Sequence, residues 1–224
     1  MAKVELTSEE KARCCVPTAD RTHARRCEYV VKPIPYKLGA ALISEHHYAK
    51  GAANTAVKMV GLVRCDGELV GAAQFLPPTK VAAQSVAGDD WRDVLSFSRM
   101  VVLDSEPKNA ESLLIGGAIH EVKKDHRWKA IVTYADQAQK HTGTIYKATN
   151  FEALGVTKPE CRYVDEKTGR LVAKKATRSR TKAEMLALGC RVEKSQKYKF
   201  VMFLDRALRK RMAEHLGLAT KRKN

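Results

Sequence analysis

Two apolar runs, VKMVGLVR (57–64) and ELVGAAQFL (68–76), are separated only by Cys65, Asp66 and Gly67. So short a connection cannot carry a crossover, so the two runs must pair as an antiparallel hairpin, and Asp-Gly supplies the positive φ of its tight turn. The other elements have to be arranged around this pair. Upstream, EYVVKPI (28–34) reads as a strand closed by two prolines. YKLGAALISEHHYAKG (36–51) sets Leu38, Ala41, Leu42 and Glu45 at helical spacing and stops at Gly51, with His46, His47 and Tyr48 in its last turn.

After the hairpin a loop leads to LSFSRMVVL (95–103), a strand. The stretch SLLIGGAIHEVKK then carries Ile115, Ala118, Ile119 and Val122 as one apolar stripe that belongs on a sheet. KAIVTYA (129–135) is short and continuously apolar, the pattern of a central strand covered on both faces, and Asp136 marks its end. GTIYKATNF (143–151) reads as a helix. CRYVDEKTGRLVA reads as a hairpin turning at 167–169, RTKAEMLALG (180–189) as a small helix, KYKFVMFL (197–204) as an alternating strand, and RALRKRMAEHL as a basic terminal helix. This order predicts an α/β layer protein, whose ligands sit at the carboxyl ends of the strands where neighbours part. The expected division is a polar lead-in (1–27), a catalytic domain (28–204) with a basic insertion at about 167–190, and a basic tail (205–224).

Charge is the next constraint. The net charge is +16, and from Lys158 onward 20 Lys or Arg face seven Asp or Glu, so +13 falls on the last third and +3 on the rest. This asymmetry suits a polyanion, nucleic acid first and a membrane surface or acidic protein after it; its plain alternative is a solvated face. No run reaches the roughly 20 apolar residues of a membrane span, and the N-terminus has no secretory core, which predicts a cytoplasmic protein. Six cysteines without a repeating framework, two of them adjacent (Cys14 and Cys15), predict free thiols. Cys14, Cys15, His23 and Cys27 lack the paired short spacing of a zinc site.

IYKATNF after a strand resembles the tyrosine-bearing helix of GNAT-type acyltransferases, with Asn150 where that family has Gly, and FSRMVVLD resembles the strand that pairs with the pantetheine arm of coenzyme A. The resemblance implies a GNAT-like fold: a mixed, mostly antiparallel sheet flanked by helices, with a basic C-terminal elaboration. The glycine-rich loop of those enzymes is replaced by PKNAESLL. Here Asn109 is expected to cap the helix, and the N–H groups around Ala110 to Ser112, with Lys108, to hold an anion. The cofactor segments are therefore Met100, Val101 and Val102, and Lys108, Asn109, Ala110, Glu111 and Ser112, for acetyl-CoA or a related thioester.

A narrower resemblance joins EHHYAKG, SFSRMVV, NAESLL, VTYAD and HTGTIYKATNF, in that order: the set is similar to the phage Mom family of DNA modification enzymes. It implies addition of a carbamoylmethyl group to the exocyclic amine of adenine in double-stranded DNA, protection from host restriction, and host cytoplasm as the place of action. Monomer and homodimer both stay open. Matched by position, the family's functional residues fall on His47, Tyr48, Arg99, Ser112, Asp136 and Tyr146, and an iron requirement would fall on His47, Tyr48 and Asp136.

The residue types agree with part of this. A Tyr hydroxyl suits protonation of a departing thiolate; otherwise Tyr146 simply packs on the sheet. Adenine's amine shares its lone pair with the ring, and a product joined through CH₂ requires more than acyl transfer to a carbonyl. Imidazole, phenolate and carboxylate suit iron better than magnesium or calcium; otherwise His47 ends a surface helix and Asp136 caps a turn. Arg99, in an apolar strand, should have an anionic partner. Ser112 would donate to a phosphate or serve only its helix. Lys174, Lys175, Arg178, Arg180 and Lys182 are the candidates for gripping DNA, followed by Arg206, Arg209, Lys210 and Arg211. The other readings are an acetyl-CoA-dependent N-acetyltransferase of a protein or small amine, and a non-catalytic DNA-binding protein.

Overall fold

Around the 57–76 hairpin the chain builds a seven-stranded sheet, seen here in a computed structural model that describes residues 2–15, 22–48, 51–139, 141–169, 171–172, 177 and 179–218. The strands are β1 (Tyr29–Pro33), β2 (Lys58–Arg64), β3 (Leu69–Leu76), β4 (Val94–Val102), β5 (Ala130–Asp136), β6 (Glu152–Val156), β7 (Glu160–Asp165), β8 (Cys190–Ser195) and β9 (Lys197–Phe203). The helices are α1 (Ser8–Ala12), α2 (Tyr36–His46), α3 (Lys80–Ala87), α4 (Ala110–Lys123), α5 (Thr144–Ala148), α6 (Lys182–Ala187) and α7 (Arg206–Ala213). Chain contacts group the residues into one unit of Met1–Thr133, Thr144–Leu154 and Phe200–Asn224, and a second of Tyr134–Gly143 and Gly155–Lys199. The lead-in and the terminal helix both fall within the first unit.

In the first unit the sheet order is β1-β2-β3-β4-β5-β9-β6, with β5, β9 and β6 running on into the second. β1 to β4 pair antiparallel and β4 pairs with β5 in parallel, the mixed, mostly antiparallel sheet flanked by helices that was expected. The hairpin turn forms as Asp-Gly requires: Gly67 takes φ 87° and donates its N–H to the Arg64 carbonyl at 2.8 Å.

The β2 and β3 side chains are buried on both faces, because a helix lies on each. On one face Ile43 of α2 clusters with Met59, Val63, Leu69 and Ile34. On the other, α4 comes so close that a Cβ on Gly117 would lie 2.5 Å from Val31. Glycine at 117 is thus a packing requirement, and any side chain there must push helix and strand apart.

Two readings change and a third is extended. The stretch after β3, expected to be a loop, contains α3, whose Thr79 caps the Ala82 N–H at 3.3 Å. In the second unit the turn near 167–169 forms, with Gly169 at φ 66°, and the described part of its return arm makes an isolated bridge at Leu171 to Val164; β7 pairs along its length with β8. The expected free thiols are also overturned for four cysteines: Cys14 is bonded to Cys65 and Cys15 to Cys27, while Cys161 and Cys190 are free. Those bonds tie the lead-in down, and Leu6 is buried against the hairpin.

Candidate functional site

The first unit has a place where neighbouring strands part. The β4–β5 ladder runs only from Val94/Ala130 to Phe97/Thr133, while β4 continues to Val102. At the same level β4 bulges: Gln74 pairs with Arg99 and Phe75 with Phe97, so Ser98 is left over. A bulge re-aims the side chains that follow it, and Arg99 is the first of them.

Tyr146, on α5, reaches this point. Its ring meets Phe97, Phe151 and Phe200 at centroid distances of 6.1, 5.6 and 5.4 Å. Its hydroxyl hydrogen-bonds Thr133, which itself donates to the Phe97 carbonyl at 3.0 Å. Burial pushes the Tyr146 phenol above its ordinary range, the Thr133 bond pulls it back in part, and the nearby Tyr48 phenol pushes it up again. The net shift is upward, so at neutral pH Tyr146 is a proton donor.

Local sequence explains why the tyrosine is held there. Asn150 adopts φ 67°, a left-handed conformation that Asn tolerates next best to Gly. This lets the Phe151 N–H return to the Tyr146 carbonyl at 2.9 Å and lays the Phe151 ring on Tyr146. Asn150 therefore meets the backbone requirement that Gly would meet at this position.

His47 and Tyr48 follow the end of α2, with ring centroids 4.3 Å apart. Of the two anionic partners open to Arg99, a core carboxylate or a cofactor phosphate, no carboxylate is present among the described residues: Nη1 donates to the Ser98 carbonyl at 3.1 Å and Nε to the Gly51 carbonyl at 3.4 Å. Carbonyl oxygens carry only partial charge, so the cation can still serve an incoming anion. The loop beyond Gly51 is held by Gln74, fully buried in β3, which accepts from the Ala53 N–H at 3.1 Å and donates to its carbonyl at 2.6 Å. Gln74 and Thr133 are supports that the motif reading passed over. The available signal was a lone polar residue inside each apolar strand, since a buried amide or hydroxyl needs partners.

The cofactor segments fall into two groups. Met100, Val101 and Val102 lie on β4 beyond the end of its β5 ladder. Asn109 does precede α4, but at φ 71° and without a side-chain capping bond, which corrects the expected cap. The Ala110 N–H bonds to Pro107, leaving the Glu111 and Ser112 N–H groups as the ordinary unpaired donors of a helix start. Lys108 is exposed, and residues 22–24 run beside it, the Ala24 N–H donating to its carbonyl at 2.8 Å. Ser112 lines a cavity of about 830 Å³ with Arg13, Arg26 and Gly116, and neither Tyr48 nor Tyr146 is among its lining residues.

Asp136 belongs to the second unit, and its carboxylate is already engaged. Arg162 donates to one oxygen at 2.8 Å; Ser195 Oγ and the Ala138 N–H donate to the other at 3.0 and 3.1 Å. Burial alone would raise its pKa, but these donors outweigh it and hold the carboxyl below its usual range. The iron set drawn on His47, Tyr48 and Asp136 therefore finds no support. With four cysteines tied in disulfides, no group of three or more His, Cys, Asp or Glu among the described residues is placed to hold a metal ion.

Of the proposed DNA-gripping residues, Arg180 and Lys182 are exposed, while Lys174, Lys175 and Arg178 lie outside the described residues. The terminal-helix group is partly structural. Arg209 clamps both oxygens of Glu152 at 2.8 Å, and Arg211 is paired with Asp90. No helix among the described residues is long and apolar enough to cross a membrane.

Comparison with known proteins gives the following likenesses. Residues 28–220 match the model of the Mom protein family. A protein of Escherichia phage Mu named methylcarbamoylase mom is 26% identical over 199 residues, 83% of this chain and 79% of that protein. Among solved structures, the ribosomal-protein-S5-alanine acetyltransferase of Vibrio fischeri aligns with a TM-score of 0.48 and 10% identity, over 80% of this chain and 94% of the other. The aminoglycoside acetyltransferase AAC(6')-Ib, in complex with coenzyme A and kanamycin, aligns at 0.47 and 13% identity, over 82% and 98%.

Proposed function

The chain belongs to the Mom protein family, and from that premise we propose that it is a phage DNA modification enzyme, transferring a carbamoylmethyl-type group to the exocyclic amine of adenine and so shielding the DNA from host restriction. The observation that carries the reading is Tyr146, half-buried with its hydroxyl on Thr133 where β4 and β5 part and its phenol held in the protonated form. A protonated, positioned phenol is what a leaving group needs. The relative named as a methylcarbamoylase supports the group transferred.

In this reading Tyr146 delivers a proton to the leaving group. Arg99, bonded among the described residues to carbonyl oxygens, holds negative charge on the substrate. The exocyclic amine is neutral and only weakly nucleophilic, so its proton has to leave as the new C–N bond forms, and the His47 imidazole, tilted against the Tyr48 ring, is the group to accept it. A bound CoA-type thioester would supply an acyl group, its thiolate being the leaving group that takes the Tyr146 proton; a link through CH₂ requires a further, oxidative bond-forming step at the α-carbon beyond this transfer. Met100 to Val102 offer backbone to its arm, while Lys108 and the N–H groups of Glu111 and Ser112 face its phosphates. Exposed Arg180 and Lys182, with Lys174, Lys175 and Arg178, meet the DNA backbone, and the target base leaves the stack at a cost of a few kcal/mol.

The test is mass analysis of nucleosides from the DNA of cells expressing the protein or its Tyr146→Phe variant. A new adenine adduct, lost in the variant, is the expected result. Acetylated protein or amine without a DNA adduct would identify a conventional acetyltransferase, and no product at all a non-catalytic DNA-binding protein; either overturns the proposal.

A further inference from the structure

Four cysteines from three segments of the first unit converge on one spot. Cys14 and Cys15 follow α1, Cys27 lies just before β1, and Cys65 opens the Asp66–Gly67 turn. Paired as disulfides, Cys14 and Cys65 have their Cα atoms 5.7 Å apart, and Cys15 and Cys27 5.3 Å. Both pairs surround the Cys27 carbonyl oxygen: the Cys15 N–H donates to it at 2.8 Å, and Cys65 Sγ lies 3.3 Å away.

Cations border the cluster. Arg25 Nη2 is 3.9 Å from Cys15 Sγ. Arg13 and Arg26 line one cavity with Cys14 and Cys27, and neither has an acidic partner among the described residues. Arg25 is paired with Glu28, but neutral disulfides give Arg13 and Arg26 nothing to balance. Four thiolates around a divalent ion carry a net charge of about −2, which they would offset, and nearby Arg also favours the thiolate form.

We propose that in the reduced protein Cys14, Cys15, Cys27 and Cys65 bind one zinc ion as a structural site that pins the lead-in to the β2–β3 hairpin. A dithiol reductant passes two electrons and two protons to each disulfide and is itself closed to a cyclic disulfide; zinc then displaces the thiol protons to solvent. Tetrahedral Zn–S bonds of about 2.3 Å set the sulfurs about 3.8 Å apart, a change that side-chain rotation supplies at these Cα separations. Three of the four cysteines precede the residues matched by the family model. The site is independent of the reaction proposed above.

The test uses the full chain purified with a dithiol reductant and without chelator, then freed of both reductant and loose metal. Elemental analysis should find about one zinc per chain, and exchange with cobalt(II) should give the strong thiolate-to-cobalt absorption of a tetrahedral tetrathiolate site. Cys65→Ser should lose most of the bound zinc, and Cys161→Ser none. Zinc well below one per chain, a cobalt form without that absorption, or a reductant-treated protein in which only two thiols titrate overturns the proposal. If Cys65→Ser fails to fold, the cobalt spectrum of the unaltered chain decides.

Discussion

The Tyr146 hydroxyl is hydrogen-bonded to Thr133, the last residue of β5 still laddered to β4. One side chain thus marks both where the sheet opens and where a proton is stored. Tyr146→Phe keeps the ring among Phe97, Phe151 and Phe200 and removes only the proton donor. The rate of adduct formation should fall by about 10²–10⁴-fold, with the unfolding midpoint nearly unchanged. A variant as active as the parent would remove Tyr146 from the chemistry.

The same residue sets an alkaline limit. Its folded pKa lies above the ordinary 10.0, chiefly through burial. The stabilisation linked to the neutral phenol is therefore complete below pH 10 and is lost as pH rises through the folded value. Activity governed by this acid should hold through neutral pH and decline only above 10. A decline beginning near pH 7 would point to another group.

Asp136 predicts the opposite pH dependence. Its folded pKa is depressed below 3.8: burial opposes the shift, and Arg162, Ala138 and Ser195 overcome it. Its contribution to stability is present above 3.8 and disappears as pH falls through the folded value. Arg162→Met, which leaves a largely buried carboxylate unpaired, should cost about 3 kcal/mol at pH 7 and less once the pH is low enough to protonate Asp136. Equal losses at both pH values would mean that the ion pair is not the cause.

Backbone conformation at Asn150 gives a further check. Gly there should be neutral or slightly stabilising. Ile, forced to a positive φ, should cost about 1–2 kcal/mol and displace Tyr146 along with Phe151. Thermal unfolding and activity of the two variants separate the effects. An Ile variant as stable as the parent would contradict the left-handed geometry.

The two basic groups should behave differently. Replacing Arg180 and Lys182 with Gln should weaken DNA binding at every sequence and flatten its salt dependence by about 0.9 in slope for each phosphate no longer neutralised. Arg209→Gln should instead destabilise the fold by about 1 kcal/mol, because its partner is Glu152. Unchanged salt slopes in the first variant would free those residues from DNA.

The hairpin at 57–76, the central strand at 130–136 and the order of the other main elements were legible in the chain, because turn chemistry and hydrophobic period act over a few residues at a time. So was the tyrosine helix, down to an Asn that can stand where Gly is usual. Tertiary structure alone decided what those residues meet. The end of the β4–β5 ladder at Thr133, the support of residue 53 by Gln74, the choice of carbonyls over a carboxylate by Arg99, and the capture of Asp136 by Arg162 all join positions distant in sequence. A chain read locally carries no information on such distances, which burial and the long-range pairing of strands determine together.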